Sequence, residues 1–377
     1  MRTSYDVIVV GSGAMGMSAG AQLAAQGMRT LLIDAYDPPH TNGSHHGDTR
    51  LIRHAYSEGL TYVPLALRAH ELWHDLEAST GIKLFNKTGV LSIGNAGTDA
   101  IQRKLASAEA FSLPVEKLSS EEMQYRWKGL KVPESAWGCL ETDAGVLYSE
   151  ACVHAYRQQA AAYGAEFLMN CRVIGIDPSE AGVKVTTAHE TFYAHKCILT
   201  TGASIYKHCS SLQLPVRAIR KTVAWFDAAE QLFASDRFPG FVVHESDGSE
   251  YYGFPSIDGQ GIKVGRHDTG VTIDPDEPLV PFGSYEEDEA VIHNFMLRYM
   301  PSAAAFLKRG SVCKYEVTPD EDFIIQQHPV FPSLILAGGF SGHGFKFASV
   351  VGEIINQLAS SGRTDHDIAK FSLARFQ

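Results

Sequence analysis

The segment YDVIVVGSGAMGMSAGAQLAAQGMRTLLID, residues 5–34, decides the fold of the first part of the chain. It opens with a β-branched run, residues 5–10, that is typical of a strand buried in a parallel sheet. A glycine-rich and then alanine-rich stretch, residues 11–27, predicts a tight turn that leads into a helix. Residues 28–34 form a second apolar run that ends in an acid. Together these pieces predict a βαβ unit.

The glycines of this unit have the spacing Gly11-x-Gly13-x-x-Gly16, between the predicted strand and the predicted helix. In a dinucleotide-binding loop, the first glycine permits the tight turn, the second lets a pyrophosphate approach and the third lets the helix pack on the sheet. The phosphates then meet free N–H groups at the helix N-terminus. Asp34, at the end of the second strand, is placed to accept hydrogen bonds from a ribose. A structural glycine turn in another α/β fold is the alternative, and the motif alone leaves NAD and FAD open.

The size and charge of the chain restrict its class. A chain of 377 residues predicts two domains, and a formal net charge of −11 argues against nucleic acid or an anionic membrane as the main partner. No apolar run reaches the ~18 residues of a membrane span. A strand pattern that begins within five residues of the N-terminus argues against a signal peptide, and the six cysteines contain no CxxC pair. We therefore expect a cytoplasmic protein with free thiols.

Two kinds of sequence pattern, or textures, alternate along the chain. Strand-plus-glycine segments return at residues 195–204 and 333–360, whereas residues 86–140 and 216–312 hold alternating apolar and polar runs. Such alternation predicts antiparallel strands with one face toward solvent or a cavity. The predicted fold class is therefore α/β, with a Rossmann-type parallel sheet interleaved with a β-sheet-rich α+β module.

A local positive island follows the βαβ unit. GSHHGDTRLIRH, residues 43–54, holds three histidines and two arginines within an acidic chain. A zinc site formed by His45, His46 and His54 is one explanation, but the interleaved arginines and the spacing disfavour it. Buried structural histidines at His45 and His54 remain open. The predictions include no metal site.

A second glycine-rich loop lies near the C-terminus. GGFSGHGFKF, residues 338–347, follows an apolar run and precedes a predicted helix, and it contains Lys346. A helix N-terminus beside the cofactor would stabilise the negative charge of a reduced flavin, which nicotinamide does not need. This loop therefore favours FAD.

Several strings together carry a family resemblance: SHHGDTRLIRHAY, YYGFP, GIKVGRH, RGSVCKYEVTPDEDFII and GFSGHGFKF, in addition to the N-terminal glycine motif. With these stretches, which run from Asp6 to Ser349, the chain resembles the monomeric sarcosine oxidase and N-methyltryptophan oxidase family of FAD-dependent amine oxidases. The resemblance implies FAD attached through a thioether, and Cys313 is the cysteine in the matching motif. Cationic neighbours at Arg309 and Lys314 are expected to favour its thiolate.

The resemblance also implies roles for other residues. Arg53 and Lys346 would hold the substrate carboxylate, since a guanidinium grips it in bidentate fashion and an ammonium adds a point charge. Lys263 would stabilise superoxide as O₂ is reduced, although a solvated outward lysine is the plainer interpretation of a strand lysine. The remaining predicted catalytic residues are Arg50, Tyr252, His267 and Tyr315. The predicted cofactor-binding residues are Gly11, Gly13, Gly16, Asp34, Ser44, His46, Thr49, Cys313 and Gly344.

The activity implied by the resemblance is oxidative demethylation of sarcosine to glycine and formaldehyde, with O₂ reduced to H₂O₂. Oxidation of N-methyl-L-tryptophan or another N-methyl amino acid is one alternative. A flavin-dependent amine dehydrogenase that passes electrons to a protein is another, and a non-catalytic nucleotide-binding module is a third. FVVHESDGSEYYG, residues 241–253, departs from the typical sarcosine oxidase version and is expected to border the pocket. The resemblance implies a monomer.

The resemblance and the two textures together predict domain boundaries. An FAD-binding domain is expected at residues 1–85, 145–215 and 318–377. The substrate domain is expected at residues 86–144 and 216–317.

Overall fold

A computed structural model describes residues 2–94, 98–209 and 212–376. Its strands, in chain order, are β1 (Ser4–Val10), β2 (Thr30–Ile33), β3 (Thr49–Ile52), β4 (Phe85–Asn86), β5 (Val90–Gly94), β6 (Val115–Ser119), β7 (Trp137–Glu141), β8 (Gly145–Tyr148), β9 (Glu166–Leu168), β10 (Val173–Ser179), β11 (Gly182–Thr187), β12 (Thr191–Leu199), β13 (Arg217–Phe226), β14 (Gly240–His244), β15 (Glu250–Phe254), β16 (Ile262–Arg266), β17 (Val271–Thr272), β18 (Leu307–Val317), β19 (Ile324–Gln327) and β20 (Leu334–Gly338). Its α-helices are α1 (Ala14–Ala25), α2 (Tyr62–Thr80), α3 (Asp99–Ala110), α4 (Ser120–Arg126), α5 (Ser149–Ala162), α6 (Ile205–His208), α7 (Glu230–Phe233), α8 (Glu287–Tyr299) and α9 (Ala348–Ser361).

The first sheet has a parallel centre in the order β9-β2-β1-β12-β20. In its register, Val9 of β1 lies beside Leu32 of β2 and Ile198 of β12. Antiparallel strands β10 and β11 extend the sheet past the first half of β12, and β19 pairs with β20. The β1-α1-β2 unit confirms the βαβ prediction.

Both faces of this sheet are buried. Val7 and Val9 point into a core that includes residues of α1, α2, α5 and α9. Ile8 and Val10 point to the other face, where they join a core that includes residues of β11 and β12. This double burial explains why the strand is a continuous apolar run rather than an alternating one.

The second sheet is mainly antiparallel, in the order β17-β13-β16-β15-β14-β5-β7-β6, with β18 on the other side of β13. Helix α8 covers one face, where Phe295 packs in a core with Phe241 and Ile262. Because strand side chains alternate between faces, the neighbours of these core residues point to the opposite face. That face is the wall of the substrate cavity described below.

A third sheet of three short strands, β3-β8-β4, was not predicted. It places Arg50 opposite Leu147, and the positive island of residues 43–54 leads into it. Strands of the first sheet come from residues 4–33, 166–199 and 324–338, and those of the second from residues 90–141 and 217–317.

This alternation along the chain agrees with the interleaved arrangement, and the α/β class with a Rossmann-type domain and a substrate domain is confirmed. The individual domain boundaries stay a prediction. Among the described helices, none combines the length and apolar character that a membrane crossing requires.

Candidate cofactor and substrate site

A long cavity begins where β1 ends and α1 starts. The predicted cofactor residues on its lining are Gly11, Gly13, Asp34, Ser44 and Gly344. They come from four separate stretches of the chain, which the parallel sheet and the residues after β20 bring together. Ligands of open α/β sheets bind at this carboxyl edge of the parallel strands.

Each glycine of the motif is required for a different physical reason. Gly11 has a φ of +89°, and a Cβ there would lie 2.6 Å from the main-chain oxygen of Thr200. A Cβ on Gly16 would lie 1.9 Å from the oxygen of Gly11, so helix α1 could not pack against the turn. At Gly13 a Cβ would contact the His45 ring at 3.4 Å and would otherwise fill the cavity. Gly11 and Gly16 build the turn, and Gly13 leaves room for a ligand.

Asp34 lies at the wall of this cavity. Its carboxylate accepts hydrogen bonds from the backbone N–H of Ser12 at 2.6 Å and of Tyr36 at 2.9 Å. The Nε2 atom of His40 lies 3.5 Å from the same carboxylate. These contacts tie the end of β2 to the glycine turn and hold the Asp34 carboxylate at the cavity wall.

Two buried polar atoms on the cavity lining have no hydrogen-bond partner among the described residues: Thr201 Oγ1 and Glu316 Oε2. Burial raises the pKa of Glu316 to about 7, although backbone N–H groups of Phe340 and Gly339 oppose the rise. Buried polar groups in native proteins are paired, and the Thr201 hydroxyl can donate or accept whereas an ionised Glu316 carboxylate accepts, so these atoms indicate a ligand with hydroxyl groups. The hydroxyl groups of a dinucleotide such as FAD fit these two atoms, and its pyrophosphate fits the open side of Gly13.

A second cavity adjoins the first and shares four lining residues with it, Arg50, Tyr315, Gly342 and Phe345. All the residues predicted for catalysis and substrate binding line this second cavity: Arg50, Arg53, Tyr252, Lys263, His267, Tyr315 and Lys346. His46 and Cys313 line it as well. Thr49 lies behind its wall, where its oxygens accept hydrogen bonds from Lys263.

The large sheet presents these side chains through its pleat. Ile262 and Val264 of β16 are in the core with α8, so Lys263 between them faces the cavity. Likewise, Tyr251 of β15 is in that core and Tyr252 faces the cavity. The outward-lysine interpretation of Lys263 is therefore wrong, because its position in the pleat directs it inward.

Arg53 and Lys346 meet at one end of the second cavity, around Tyr56. The Arg53 guanidinium donates to Glu58 at 2.9 Å and lies 4.5 Å from the centre of the Tyr56 ring. The Lys346 ammonium donates to Tyr56 Oη and to the oxygen of His343, both at 2.7 Å. Burial lowers the pKa of Lys346 well below its usual range, and the charge of Arg53 adds to this effect. An anion bound beside Arg53 and Lys346 would favour the charged form of Lys346 and would contact both groups.

Lys263 and Arg50 form a second pair of cations, bound to neutral oxygens. The Lys263 ammonium donates to the main-chain oxygens of Gly47 and Thr49, the latter at 3.1 Å. Arg50 donates to the oxygens of Ser44 at 2.6 Å and Thr49 at 2.7 Å. Burial lowers the pKa of Lys263 well below its usual range, and the charge of Arg50 adds to the decrease. Main-chain oxygens thus orient both side chains without supplying a counter-charge.

Aromatic residues complete the wall. The hydroxyl of Tyr315 donates to that of Tyr252 at 3.3 Å, and the His267 ring centre lies 5.7 Å from that of Tyr315. Burial raises the pKa of Tyr252 to about 12, and the charge of Cys313 contributes. These tyrosines therefore stay neutral and offer a polar tip on an apolar face.

The prediction that Arg309 and Lys314 lie beside the Cys313 thiol is wrong. Lys314 points to the other face of β18 and donates to the oxygen of Pro275 at 2.6 Å, because adjacent strand residues face opposite ways. Arg309 pairs with Asp48. Burial raises the pKa of the Cys313 thiol, and the charges of Arg50 and Lys263 oppose the rise.

The three histidines of the positive island do not converge. His45 lines the first cavity and accepts a hydrogen bond from the backbone N–H of His40 at 3.0 Å. His46 lines the second cavity, and His54 hydrogen-bonds to His70 at 2.8 Å. In the part of the chain that the structure describes, no group of His, Cys, Asp or Glu is arranged to hold a metal ion.

Several pocket residues were missed in the sequence, among them Glu58, Glu250 and His343. One available signal was the pleat of β15: with Tyr252 assigned to the pocket, residues two positions away share its face. Glu250 lies two residues before Tyr252, within the stretch that departs from the typical family version.

Comparison with known proteins agrees with this geometry. The family described as DAO, FAD dependent oxidoreductase, matches residues 6–358 of the chain. The chain belongs to this family. FAD is therefore the cofactor of this chain, and the long cavity with its glycine turn is the candidate site for it.

Two curated relatives match over the whole length. A protein named monomeric sarcosine oxidase from Bacillus sp. (strain B-0618) is 50% identical over 379 residues, which cover 100% of this chain and 97% of that one. A protein named N-methyl-L-tryptophan oxidase from Yersinia pestis (strain Pestoides F) is 39% identical and covers 99% of this chain and 100% of its own. Among solved structures, NikD, an unusual amino acid oxidase essential for nikkomycin biosynthesis, superposes with a TM-score of 0.87 at 23% identity, over 98% of each chain. This likeness supports the fold.

Proposed function

We propose that this FAD dependent oxidoreductase oxidises the N-methyl group of sarcosine, yielding glycine, formaldehyde and H₂O₂ from sarcosine, water and O₂. The observation that carries the proposal is the meeting of Arg53 and Lys346 in the cavity that also contains Lys263 and Cys313. The relative named monomeric sarcosine oxidase, 50% identical over the whole chain, supports the substrate.

The first cavity would hold FAD, with Gly13 and the N-terminus of α1 against its phosphates and Asp34 at its ribose. Thr201 and Glu316 would gain the partners that they lack. Cys313, at the neighbouring cavity, would hold FAD through a thioether. Bound FAD supplies the two-electron redox chemistry, accepting electrons from the amine and passing them to O₂.

Arg53 and Lys346 would bind the substrate carboxylate. Arg53 now donates to Glu58, whose side chain is 36% exposed, so an incoming carboxylate would compete with Glu58 for the guanidinium. In the described structure, the Lys346 ammonium donates hydrogen bonds to two neutral oxygens, Tyr56 Oη and the main-chain oxygen of His343. It can therefore add a charge-assisted hydrogen bond to the substrate carboxylate.

The same cations act on the substrate amine. A secondary amine with a pKa near ~10 is mostly protonated in neutral water, and the protonated form has no lone pair to oxidise. Positive charge at Arg50, Lys263 and Lys346 disfavours a further cation beside those groups, so it lowers the pKa of an amine bound there. The site thereby favours the reactive neutral amine.

We assign O₂ reduction to the Lys263 region. Transfer of an electron to O₂ creates negative charge, and a preoriented ammonium stabilises it without reorganisation. Lys263 is held by two main-chain oxygens and the Thr49 hydroxyl, with the Phe254 ring centre 4.5 Å from its nitrogen. An apolar ring next to a fixed charge suits a small neutral gas molecule.

The test is a direct assay. The purified yellow protein is mixed with sarcosine in air, without any added acceptor, and formaldehyde and H₂O₂ are measured; we expect both in equal amounts. N-Methyl-L-tryptophan, taken from the name of the 39% identical relative, is the comparison substrate. Faster turnover of N-methyl-L-tryptophan than of sarcosine would make N-methyl-L-tryptophan the assigned substrate. Turnover only with an added electron acceptor would indicate a dehydrogenase. A monomeric state and a cytoplasmic location stay predictions.

A further inference from the structure

The second cavity contains a carboxylate that the proposed reaction of sarcosine does not use. Glu250 is the first residue of β15, and its side chain lines the cavity together with Tyr252 and Phe254 of the same strand. The three residues are two positions apart, so the pleat directs them to one face. Glu250 is therefore part of the substrate wall rather than of the outer surface.

The backbone of Glu250 is fixed on both sides. Its N–H donates to Asp268 Oδ1 at 2.8 Å, and its carbonyl oxygen accepts from the N–H of His267 at 2.7 Å. Its carboxylate lies 3.2 Å from His244 Nδ1, and its side chain is 27% exposed. One oxygen thus has an imidazole beside it, while the group as a whole stays open to the cavity.

The carboxylate is ionised at neutral pH. Burial by itself raises the pKa of Glu250, but the hydrogen bond with His244 and the positive fields of His267 and Arg53 outweigh it and lower the pKa to about 2. The cavity thus carries two carboxylates with different partners. Glu58 forms an ion pair with Arg53, whereas the Glu250 carboxylate contacts the imidazole of His244. Glu250 is the acid that remains available to a ligand.

Glu250 lies at the opposite end of the wall from Lys263. In the register of β15 and β16, Phe254 lies beside Lys263, whereas Glu250 is hydrogen-bonded to His267. Lys263 and His267 are four residues apart, roughly 13 Å along a strand at about 3.3 Å per residue. A substituent that points away from the Lys263 region along this wall therefore approaches Glu250.

We propose that Glu250 is a specificity-determining residue, forming a subsite for a cationic group on the α side chain of an N-methyl amino acid substrate. This inference rests on the proposed function, since it names the class of substrate for the same cavity. Sarcosine, which has no side chain, would occupy the carboxylate and amine positions and leave this subsite to water.

The subsite would select by attraction and by repulsion. A cationic side chain gains a charge-assisted contact in a partly desolvated wall, which is stronger than a neutral one. An anionic side chain would face Glu250 at close range, and unfavourable contacts of this kind contribute to specificity. An apolar side chain of equal length would leave the carboxylate desolvated and without compensation.

The experiment compares matched substrates on the holoenzyme. Rates of H₂O₂ formation give kcat/KM for Nα-methyl-L-lysine and for its uncharged match of equal length, the Nα-methyl derivative of L-2-aminoheptanoate, and for the shorter pair Nα-methyl-L-ornithine and Nα-methyl-L-norleucine. For at least one pair we expect the basic member to be preferred about tenfold or more, equivalent to ~1.4 kcal/mol. In Glu250→Gln that preference should fall about tenfold, whereas Glu250→Asp, which keeps the charge, should retain a preference for the basic member.

The control is Glu245→Gln. Glu245 lies in the turn before β15 and pairs with Arg298 at 2.6 Å, outside the residues that line the cavity, and its loss should leave the preference unchanged. No preference in the wild type, or an undiminished one in Glu250→Gln, would overturn the inference. The comparison of basic and uncharged substrates on the wild-type enzyme tests the inference even if a variant fails to fold. Absence of turnover with sarcosine and with all four analogues would instead contradict the proposed function.

Discussion

The ammonium of Lys263 lies 3.1 Å from the main-chain oxygen of Thr49, so β16 of the large sheet is tied to β3 of the small sheet at the wall of the substrate cavity. The two residues are 214 positions apart in the chain. This contact places a buried, oriented cation beside the cavity that Cys313 also lines. It leads to the first prediction.

Lys263→Met should separate the two halves of the reaction. The substitution removes the charge at similar length, so anaerobic bleaching by sarcosine should change only modestly. Return of colour in air should slow about a thousandfold or more, since a fixed cation can stabilise developing superoxide by several kcal/mol. Stopped-flow absorbance measures both halves. Lys308→Met, at a lysine that donates to Gly259 away from the cavity, is the control. Reoxidation at the wild-type rate would show that the oxygen site lies elsewhere.

Arg53→Met should weaken binding of the substrate carboxylate. The variant loses a charge-assisted contact and leaves Glu58 without its guanidinium, so affinity for simple carboxylate inhibitors should fall on the order of a hundredfold, or ~3 kcal/mol. Titration of flavin absorbance with the inhibitor measures this. Arg103→Met, on the exposed side of α3, should bind as the wild type does. Equal inhibitor affinity in Arg53→Met and the wild type would place the carboxylate elsewhere.

Cys313→Ser should release the flavin from the protein. Precipitation of the wild-type holoenzyme with acid should leave the yellow colour in the pellet, because a thioether survives denaturation. In the variant the colour should move to the supernatant. Cys139→Ser, which replaces a cysteine buried in β7 of the large sheet, should keep the colour in the pellet. Wild-type colour in the supernatant would refute covalent attachment.

His70 should make stability depend on acid pH. Burial lowers its pKa to about 4, and the charges of His54 and His74 add to this. The unfolded chain then binds more protons than the folded one between about pH 6.5 and 4, so stability is lost as the pH falls through that range. Between pH 7 and 4.5, the Tm of the wild type should fall ~2–4 °C more than that of His70→Gln.

The matched control for this effect is His154→Gln, at an exposed histidine on α5. Its Tm should follow the wild-type pH profile. Parallel profiles for the wild type and His70→Gln would show that the hydrogen-bonded pair formed by His70 with His54 at 2.8 Å does not couple proton binding to folding.

The cofactor turn was predictable because its main causes lie within the turn. Gly11 has a φ of +89°, and a Cβ on Gly16 would meet the oxygen of Gly11, although Thr200, which approaches Gly11 from the adjacent strand, is distant in the chain. A continuous apolar run likewise predicts a doubly buried strand. For the same reason, interleaved segments of two textures sufficed to predict the α/β class with two modules. The family resemblance then supplied the residues of the substrate cavity.

The sequence by itself therefore determined the βαβ unit, the glycine turn and the identities of the cationic side chains. Only the tertiary structure decided which faces they occupy. A shift of one residue in strand register would exchange Cys313 with Lys314, and that register is set by the pairing of β18 with β13, where Cys313 lies beside Lys221. Packing of Tyr251, Ile262 and Val264 in the core with α8 turns Lys263 inward and brings Glu250 into the cavity, because the pleat is regular but its direction depends on contacts between residues far apart in the chain.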